Sequence, residues 1–534
     1  MSSKKVLITT AIDYVNARPH VGHAVEKVQA DVLARYYRSQ QNEVYFLTGA
    51  DENSIKNVLA AKKESKEIKT YIDENTAKFE ALKSILNLSY DKFIRTTSNE
   101  HLEGCKKFWE AMKPTDIYKK NYDGLYCVGC EEFKTAKDLV DGKCPEHQIA
   151  PEKIAEENYF FKLSNYQDQL LKIIESNKVQ IVPDFRRNEV ISFIKGGLED
   201  FSISRSRERA CNWGVPVPGD EKQIMYVWVD ALASYITALG YGSSSSHPHE
   251  DGDPRLPARQ ALIVDSRLHG NDRSEGESVQ NSDLYQKFWV NADQKIHVIG
   301  KGIMRFHAIY WIAMLLSAGL PLPSEIYIHE YLTIDGQKMS KTIGNVIYPE
   351  DLVKKYGADG TRYLLLSALP YTSDGDISWD KMDMKFNADL ANGLGNLLNR
   401  TLNMIQKYDL KSKIQNPNVK SNPNVQNPNE ANPAPKGPLS EGASKANELL
   451  EERKFELALK EIWQGIKEQN QYIDQNKPWE LAKTDKASLV EVLASVYQFL
   501  SSSVLPLSYF MPETAEKMNK QLKTLEPEAL FPRI

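Results

Sequence analysis

Residues 6–12 (VLITTAI) are seven apolar or β-branched positions in a row. A run with no polar alternation has no face to give to water, so it reads as a strand buried on both sides of a parallel sheet. Asn16-Ala17-Arg18-Pro19 then breaks the pattern, and Val21, Val25, Val28, Val32 and Tyr36 recur at helical spacing. Residues 44–48 (VYFLT) read as a second strand and Ile55–Lys63 as a second helix. Strand, helix, strand with short connections is the opening of a doubly wound α/β sheet. Such a sheet binds ligands at the carboxyl ends of its strands.

The pattern changes near Pro114: residues 115–215 carry short strands, glycines and four of the five cysteines. The α/β signal returns at Met225–Ala231 and Ile296–Ile299, with a helix expected over 303–318. An insertion within one nucleotide-binding domain accounts for that return. Residues 242–284 contain no Phe, Trp or Tyr and four consecutive serines, which suits a surface insert. Residues 415–445 repeat Asn-Pro-Asn and read as a solvated, partly polyproline-II linker between the helical segments 383–408 and 445–530.

Hydrophobic residues at 41% and charged residues at 26% exclude whole-chain disorder. The net charge of 67 − 72 = −5 argues against coating a polyanion but leaves room for a local basic face. Five cysteines in 534 residues do not make a disulfide scaffold. The apolar stretch around 308–322 is interrupted by Ser317, Gly319 and Pro321 and is too short for a membrane span. No signal peptide is read at the N-terminus. The expectation is a cytoplasmic enzyme without a membrane partner.

Three constellations carry chemistry. His20 and His23 of Pro19-His20-Val21-Gly22-His23 lie three apart at a helix start, where dipole and N–H groups attract anions; two chance surface histidines are the plainer reading. Gly22 lacks a Cβ, so a nucleotide ring or ribose could approach the backbone. Asp335–Asn345 (DGQKMSKTIGN) is a polar loop with Lys338 and Lys341 three apart, suited to following a phosphate and neutralising charge that develops on it. A charged surface loop is the alternative. Cys127-x2-Cys130 and Cys144-x2-His147, thirteen residues apart, place three thiolates and one imidazole for a tetrahedral ion. With no oxidising compartment implied, zinc outranks a disulfide, and four protein ligands make the site structural. Trp228, Tyr235 and Trp311 are aromatic, with His307 and Trp311 one helical turn apart. A thioether packs well on aromatic edges, although plain core packing explains each ring singly.

The first two motifs together resemble the two signatures of class I aminoacyl-tRNA synthetases, HIGH and KMSKS, here HVGH and KMSKT. Their surroundings (TTAIDYVNARPHVGH, YVWVDALASY, RFHAIYWIAML, DGQKMSKTIGNV, NKPWELA) are similar to the methionyl-tRNA synthetase family over nearly the whole chain, the inserts at about 242–284 and 411–445 excepted.

The resemblance implies an α/β, Rossmann-type doubly wound parallel sheet with an inserted zinc-knuckle connective domain, followed by an α-helical bundle that binds the anticodon. The expected divisions are 1–114 and 225–325 for the two catalytic halves, 115–224 for the connective insertion, 326–382 for a stem-contact region with the lysine loop, and 383–534 for the helical domain. ATP, with Mg²⁺, would be held by His20, Gly22, His23, Lys338, Met339, Ser340 and Lys341, of which His20, His23, Lys338 and Lys341 do the catalysis. L-methionine would be enclosed by Ile12, Tyr14, Trp228, Tyr235, Ile303, His307 and Trp311, with Asp51 on its ammonium and Arg205 near the active site. One zinc per chain would sit on Cys127, Cys130, Cys144 and His147. Asn396, Arg400 and Trp479 match the positions that read the CAU anticodon of tRNA(Met), initiator and elongator.

The chain departs from the family at four places. Asp13 stands where many members have Pro, Asn53-Ser54 where His-Gly is common, Gly302 where Asp is frequent, and Thr342 where the loop usually ends in Ser. Ending at Ile534 without the further C-terminal module of some relatives, the chain is expected to be a monomer. A class I synthetase for leucine, isoleucine or valine would need a large editing domain for which this chain has no room, and the aromatic pocket and the Trp479 region disfavour cysteine. A silent zinc-containing tRNA-binding protein would have no use for both signatures.

Overall fold

The computed structural model of the chain describes residues 3–127, 132–134, 138–145, 148–242, 281–339, 344–414 and 440–534. The N-terminal run forms strand β1 (Lys5–Thr10), followed by a short extension, Asp13–Tyr14, that pairs with Ala50–Asp51. Five further strands join β1, all parallel: β2 (Glu43–Asp51), β3 (Lys92–Arg95), β4 (Gln180–Val182), β5 (Gln294–Gly300) and β6 (Glu325–His329). Their order is β3-β2-β1-β5-β6-β4. Val6 and Ile8 enter a core on one face of the sheet and Leu7 a core on the other, which is why β1 reads as an uninterrupted apolar run. Successive strands lie on one side of β1 up to β3 and on the other side from β4 onward. The order therefore reverses between β1 and β5, and the crevice at their carboxyl ends is the place such a sheet offers a ligand.

Helix α1 (Val21–Ser39) buries the expected stripe of Val21, Val25, Val28, Val32 and Tyr36. The helix Ile55–Lys63 has the expected bounds. Two sequence expectations need correction. Met225–Ala231 is not a strand of the main sheet: Asp220–Met225 pairs antiparallel with Ser204–Ser206 and Pro216–Val217, and Val227–Thr237 is a helix. A short apolar run looks the same in a buried strand and a buried helix. The range 115–224 is also not purely an insertion. Ile117–Cys127, Glu132–Lys134, Glu152–Phe161 and Phe201–Ser202 form a separate antiparallel sheet, but β4 pairs in parallel with β6. One strand of the catalytic sheet therefore lies inside that range.

The C-terminal third is helical, and its core is continuous with one face of the sheet. Arg362, fully buried, pairs with Asp31 of α1 at 2.7 Å and donates to the carbonyls of Leu86, Tyr509 and Phe510. Removing one partner of such a buried pair costs about 3–5 kcal/mol, enough to hold the helical region in one place against the sheet. The central helix Lys486–Phe510, long and apolar, buries Leu489, Val492, Leu493, Val496, Phe499, Leu500 and Leu507. Of the two expected inserts, residues 243–280 and 415–439 lie outside the described residues. The ends of the second are helical, at Lys411–Ile414 and Ser440–Glu451.

Candidate active site

Pro19 leads into α1, and His20 takes the cap position in extended geometry (φ −117°, ψ 175°). Its Nδ1 accepts the N–H of Gly22 at 3.1 Å, while His23 Nδ1 accepts the N–H of His20 at 3.1 Å. This is a capping box built from two imidazoles, and the rings stack at 3.8 Å. Because each Nδ1 accepts a hydrogen bond, the proton of each neutral ring sits on Nε2, directed away from the helix. The first turn of α1 carries no acidic residue. The positive end of the helix is thus left to whatever anion arrives.

A Cβ on Gly22 would come within 2.9 Å of the His20 ring and 3.3 Å of the Met339 methyl. These two side chains crowd the space in front of Gly22, and the two signatures, about 315 positions apart in the sequence, come together at one cavity. Met339 follows a hairpin of Leu332–Ile334 and Gln337–Lys338, turned by Asp335 and Gly336, both at positive φ. Asp376 holds it, accepting from Gly336 N–H and Thr333 Oγ1 at 2.7 Å each. Lys338 is exposed at its tip. Ser340 and Lys341 lie outside the described residues.

A cavity of about 430 Å³ opens at the carboxyl ends of β1, β2 and β5. Of the residues singled out from the sequence, Ile12, Tyr14, His20, Gly22, His23, Asp51, Trp228, Ile303, Lys338 and Met339 all line it. Trp228 stacks on Phe306 at 3.8 Å and meets Tyr14 edge-on at 6.5 Å. Phe306 was not expected, although it stands beside the singled-out His307.

Tyr235, His307 and Trp311 are buried behind that wall rather than on it. Residues Phe306–Trp311 have π-helical geometry, a widened turn of the kind that recurs at functional sites. His307 Nδ1 donates to the Ile303 carbonyl at 3.0 Å, so Nε2 is left to accept the Tyr235 hydroxyl at 2.7 Å. Burial holds the His307 imidazole down at about 4 and pushes His297, bonded to Thr9 Oγ1 at 2.6 Å, well below the usual histidine range. Both rings are neutral at pH 7.

This has a measurable consequence. The unfolded chain takes up protons on these rings near pH 6.5, whereas the folded chain resists until about pH 4 for His307, and His297 is likewise held well below 6.5. Their contribution is complete above pH 6.5 and is lost as pH falls, on the order of a few kcal/mol for His307. The urea midpoint should drop between pH 6.5 and 4.5, with a shallower drop in His307→Gln, whose amide can keep both hydrogen bonds. Parallel profiles in the two proteins would contradict the neutral ring.

Glu26 and His329 line the cavity and had no sequence signal. Lys27 of α1 bonds the carboxylates of Asp13 and Glu26 and the Ala11 carbonyl, and Glu26 also meets His329 Nε2 at 3.1 Å. Burial works against ionisation of Glu26, but Lys27 and His329 outweigh it and hold that carboxyl at about 2. Asp13 Oδ2 bonds Lys27, and burial raises the Asp13 carboxyl above the usual carboxylate range. Gly302 has its own account: a Cβ there would stand 2.1 Å from the Tyr331 hydroxyl, which accepts the Gly302 N–H at 2.8 Å. Tyr331 occupies the volume that a side chain at 302 would need.

Arg205 does not reach this cavity. It lines a second one of about 260 Å³, where it donates to the Tyr126 hydroxyl at 2.7 Å. Cys127 and Cys144 are fully buried. Cys144 begins a tight turn in which Gln148 N–H bonds its carbonyl at 2.8 Å. Cys130 and His147 lie outside the described residues. Asn396 and Arg400, one turn apart on the helix Asn396–Lys407, line a groove of about 780 Å³, and Arg400 pairs with Asp474 at 2.8 Å. Trp479 stands on the helix Pro478–Thr484 and is 40% exposed.

The family model described as class I tRNA synthetases (M) matches residues 6–153 and 138–402. The chain is 41% identical to the methionine–tRNA ligase of Clostridium acetobutylicum over 97% of its own length and 73% of that protein's. It is 39% identical to the enzyme of Brucella suis over 97% and 92%. The structure of Mycobacterium tuberculosis methionyl-tRNA synthetase in complex with methionyl-adenylate superposes with a TM-score of 0.80 at 34% identity, covering 99% of this chain and all of that one. Two signatures meeting at one strand-end cavity, and similarity running through nearly every residue, lead to the same place: the chain belongs to the methionyl-tRNA synthetases of class I.

Proposed function

We propose a division of labour within the reaction of this family, ATP-dependent joining of L-methionine to tRNA(Met). The observation that carries it is that His20, Gly22 and His23 line one cavity with Lys338 and Met339, which brings the lysine hairpin to the cap of α1. In the first step the methionine carboxylate attacks the α-phosphate of MgATP in line, forming methionyl-adenylate and releasing pyrophosphate. The Nε2–H groups of His20 and His23 donate to phosphate oxygens. Lys338 and Lys341 neutralise the charge that develops on the pentacovalent phosphorus and the leaving group. Asp51 receives the ammonium, and Ile12, Tyr14, Trp228 and Ile303 receive the side chain. Tyr235, His307 and Trp311 support that wall from behind, and Arg205 acts from the neighbouring cavity. In the second step a hydroxyl of the terminal ribose of tRNA attacks the adenylate carbonyl. Positioning and electrostatics do the work, with no protein nucleophile.

Zinc fits the connective sheet. Cys127 and Cys144 are completely buried in a segment rich in Lys, Asp and Glu, and among the described residues neither belongs to a hydrophobic core cluster. With Cys130 and His147 they would hold one structural zinc, which supplies folding free energy there. Metal analysis should find about one zinc per chain, and Cys144→Ser should lose it and bind a hydrophobic dye. Metal-free protein of unchanged stability and activity would refute the site. Asn396, Arg400 and Trp479 would read the anticodon, by hydrogen bonds to base edges and by stacking.

ATP–pyrophosphate exchange with a panel of amino acids tests the reading as a whole. Methionine should support exchange and leucine, isoleucine, valine and cysteine should not. Exchange with a different amino acid, or none with methionine, would overturn it.

A further inference from the structure

Asp51 and Trp228 stand on different elements, the end of β2 and the start of the helix Val227–Thr237, yet both face one cavity. The gap between them sets how long a side chain can lie between ammonium anchor and aromatic wall. One side chain ties the two elements together. Asn53 Nδ2 donates to Asp230 Oδ2 at 2.8 Å and to the Thr96 carbonyl at 2.9 Å, while the Asn53 N–H reaches Asp51 Oδ1 at 3.3 Å. Asp230, two residues beyond Trp228, is itself held from the other side. Its Oδ1 bonds His101 Nε2, and His101 Nδ1 meets Thr237 Oγ1 at 2.7 Å on the same helix. Asn57 Nδ2 donates to the Asp51 carbonyl at 2.9 Å, completing the strand end. All of these side chains are buried.

We infer that Asn53 is a positioning residue for amino-acid selection: by clamping the Asp51 strand end to Asp230, it fixes the distance between the ammonium anchor and Trp228. The inference rests on the assignment of Asp51 and Trp228 to the methionine site. It also gives a physical account of one departure from the family, since Asn at 53 supplies two amide hydrogens that reach Asp230 and Thr96 together. The proposed ATP contacts at the cap of α1 are on a different element and share no described hydrogen bond with this clamp.

The test is ATP–pyrophosphate exchange by the full chain with Asn53→Ala, Asp230→Asn and the reciprocal pair Asn53→Asp/Asp230→Asn. The pair restores a hydrogen bond between the two positions with donor and acceptor exchanged. Asn53→Ala should raise KM for methionine tenfold or more and narrow the preference for methionine over norleucine and ethionine. KM for ATP should stay within twofold. The reciprocal pair should recover a good part of the methionine KM, which a general loss of stability would not do. The melting temperature of each variant is read alongside. If a variant is unfolded, Asn53→Ser gives the same comparison with less disturbance. Equal rises in both KM values, an unchanged methionine KM, or no recovery in a folded reciprocal pair would each overturn the clamp. Absence of methionine-dependent exchange in the unaltered protein would instead refute the family reaction itself.

Discussion

Lys338→Ala, and separately Lys341→Ala, should slow methionine-dependent ATP–pyrophosphate exchange by a factor on the order of 10²–10³, the effect expected when one preorganised charge contact to a transition state is lost. Lys338 is exposed on a two-residue strand after a tight turn, and its described bonds are made through the backbone, by pairing with Thr333 and by its carbonyl accepting from Asn345 Nδ2 at 3.3 Å. Nothing in that arrangement depends on the ammonium for folding, so the melting temperature should hold. The substitution should act mainly on kcat, because a lysine that follows charge forming in the transition state adds little to ground-state binding. Methionine affinity measured without ATP should be unaltered, since Asp51 and the aromatic wall lie on other elements. Near-normal exchange in both variants would remove the lysine hairpin from the mechanism.

Trp479→Ala should lower the efficiency of tRNA aminoacylation about tenfold to a hundredfold, from a stacking contact worth roughly 1–3 kcal/mol. Exchange without tRNA should be unaffected. The competing explanation, that Trp479 packs the helical bundle, predicts that stability and both half-reactions decline together. The side chain is 40% exposed, and its helix begins after Lys477, whose left-handed backbone (φ 44°) ends the preceding helix. Surface truncation of that kind changes stability by about 0.5 kcal/mol or less. Parallel loss of both half-reactions, or equal charging of a tRNA with an altered CAU anticodon, would show the assignment to be wrong.

Much of this was legible without coordinates. Strand β1, helix α1 and the helix Ile55–Lys63 follow from apolar periodicity, which local sequence encodes directly. Ten of the residues singled out for ATP and methionine line one cavity because they cluster at strand ends and helix starts, which a doubly wound sheet gathers at one edge. Local reading failed where neighbours decide. Met225–Ala231 is apolar in either a strand or a helix, and only its partners make it a strand end followed by a helix. Gln180–Val182 is too short to announce which sheet it joins.

What the sequence determined by itself was the class of fold, the family and the chemistry of the site, since these reside in periodicity and in residue types at set spacings. The tertiary structure decided which of those residues face the cavity and which stand behind it, as Tyr235, His307 and Trp311 do. It also decided that the Nδ1 atoms of His20 and His23 are spent on capping, and that Asp13 bonds Lys27. The physical reason is that burial, tautomer and charge pairing depend on groups brought close from distant parts of the chain, and no spacing along the chain records which groups those are.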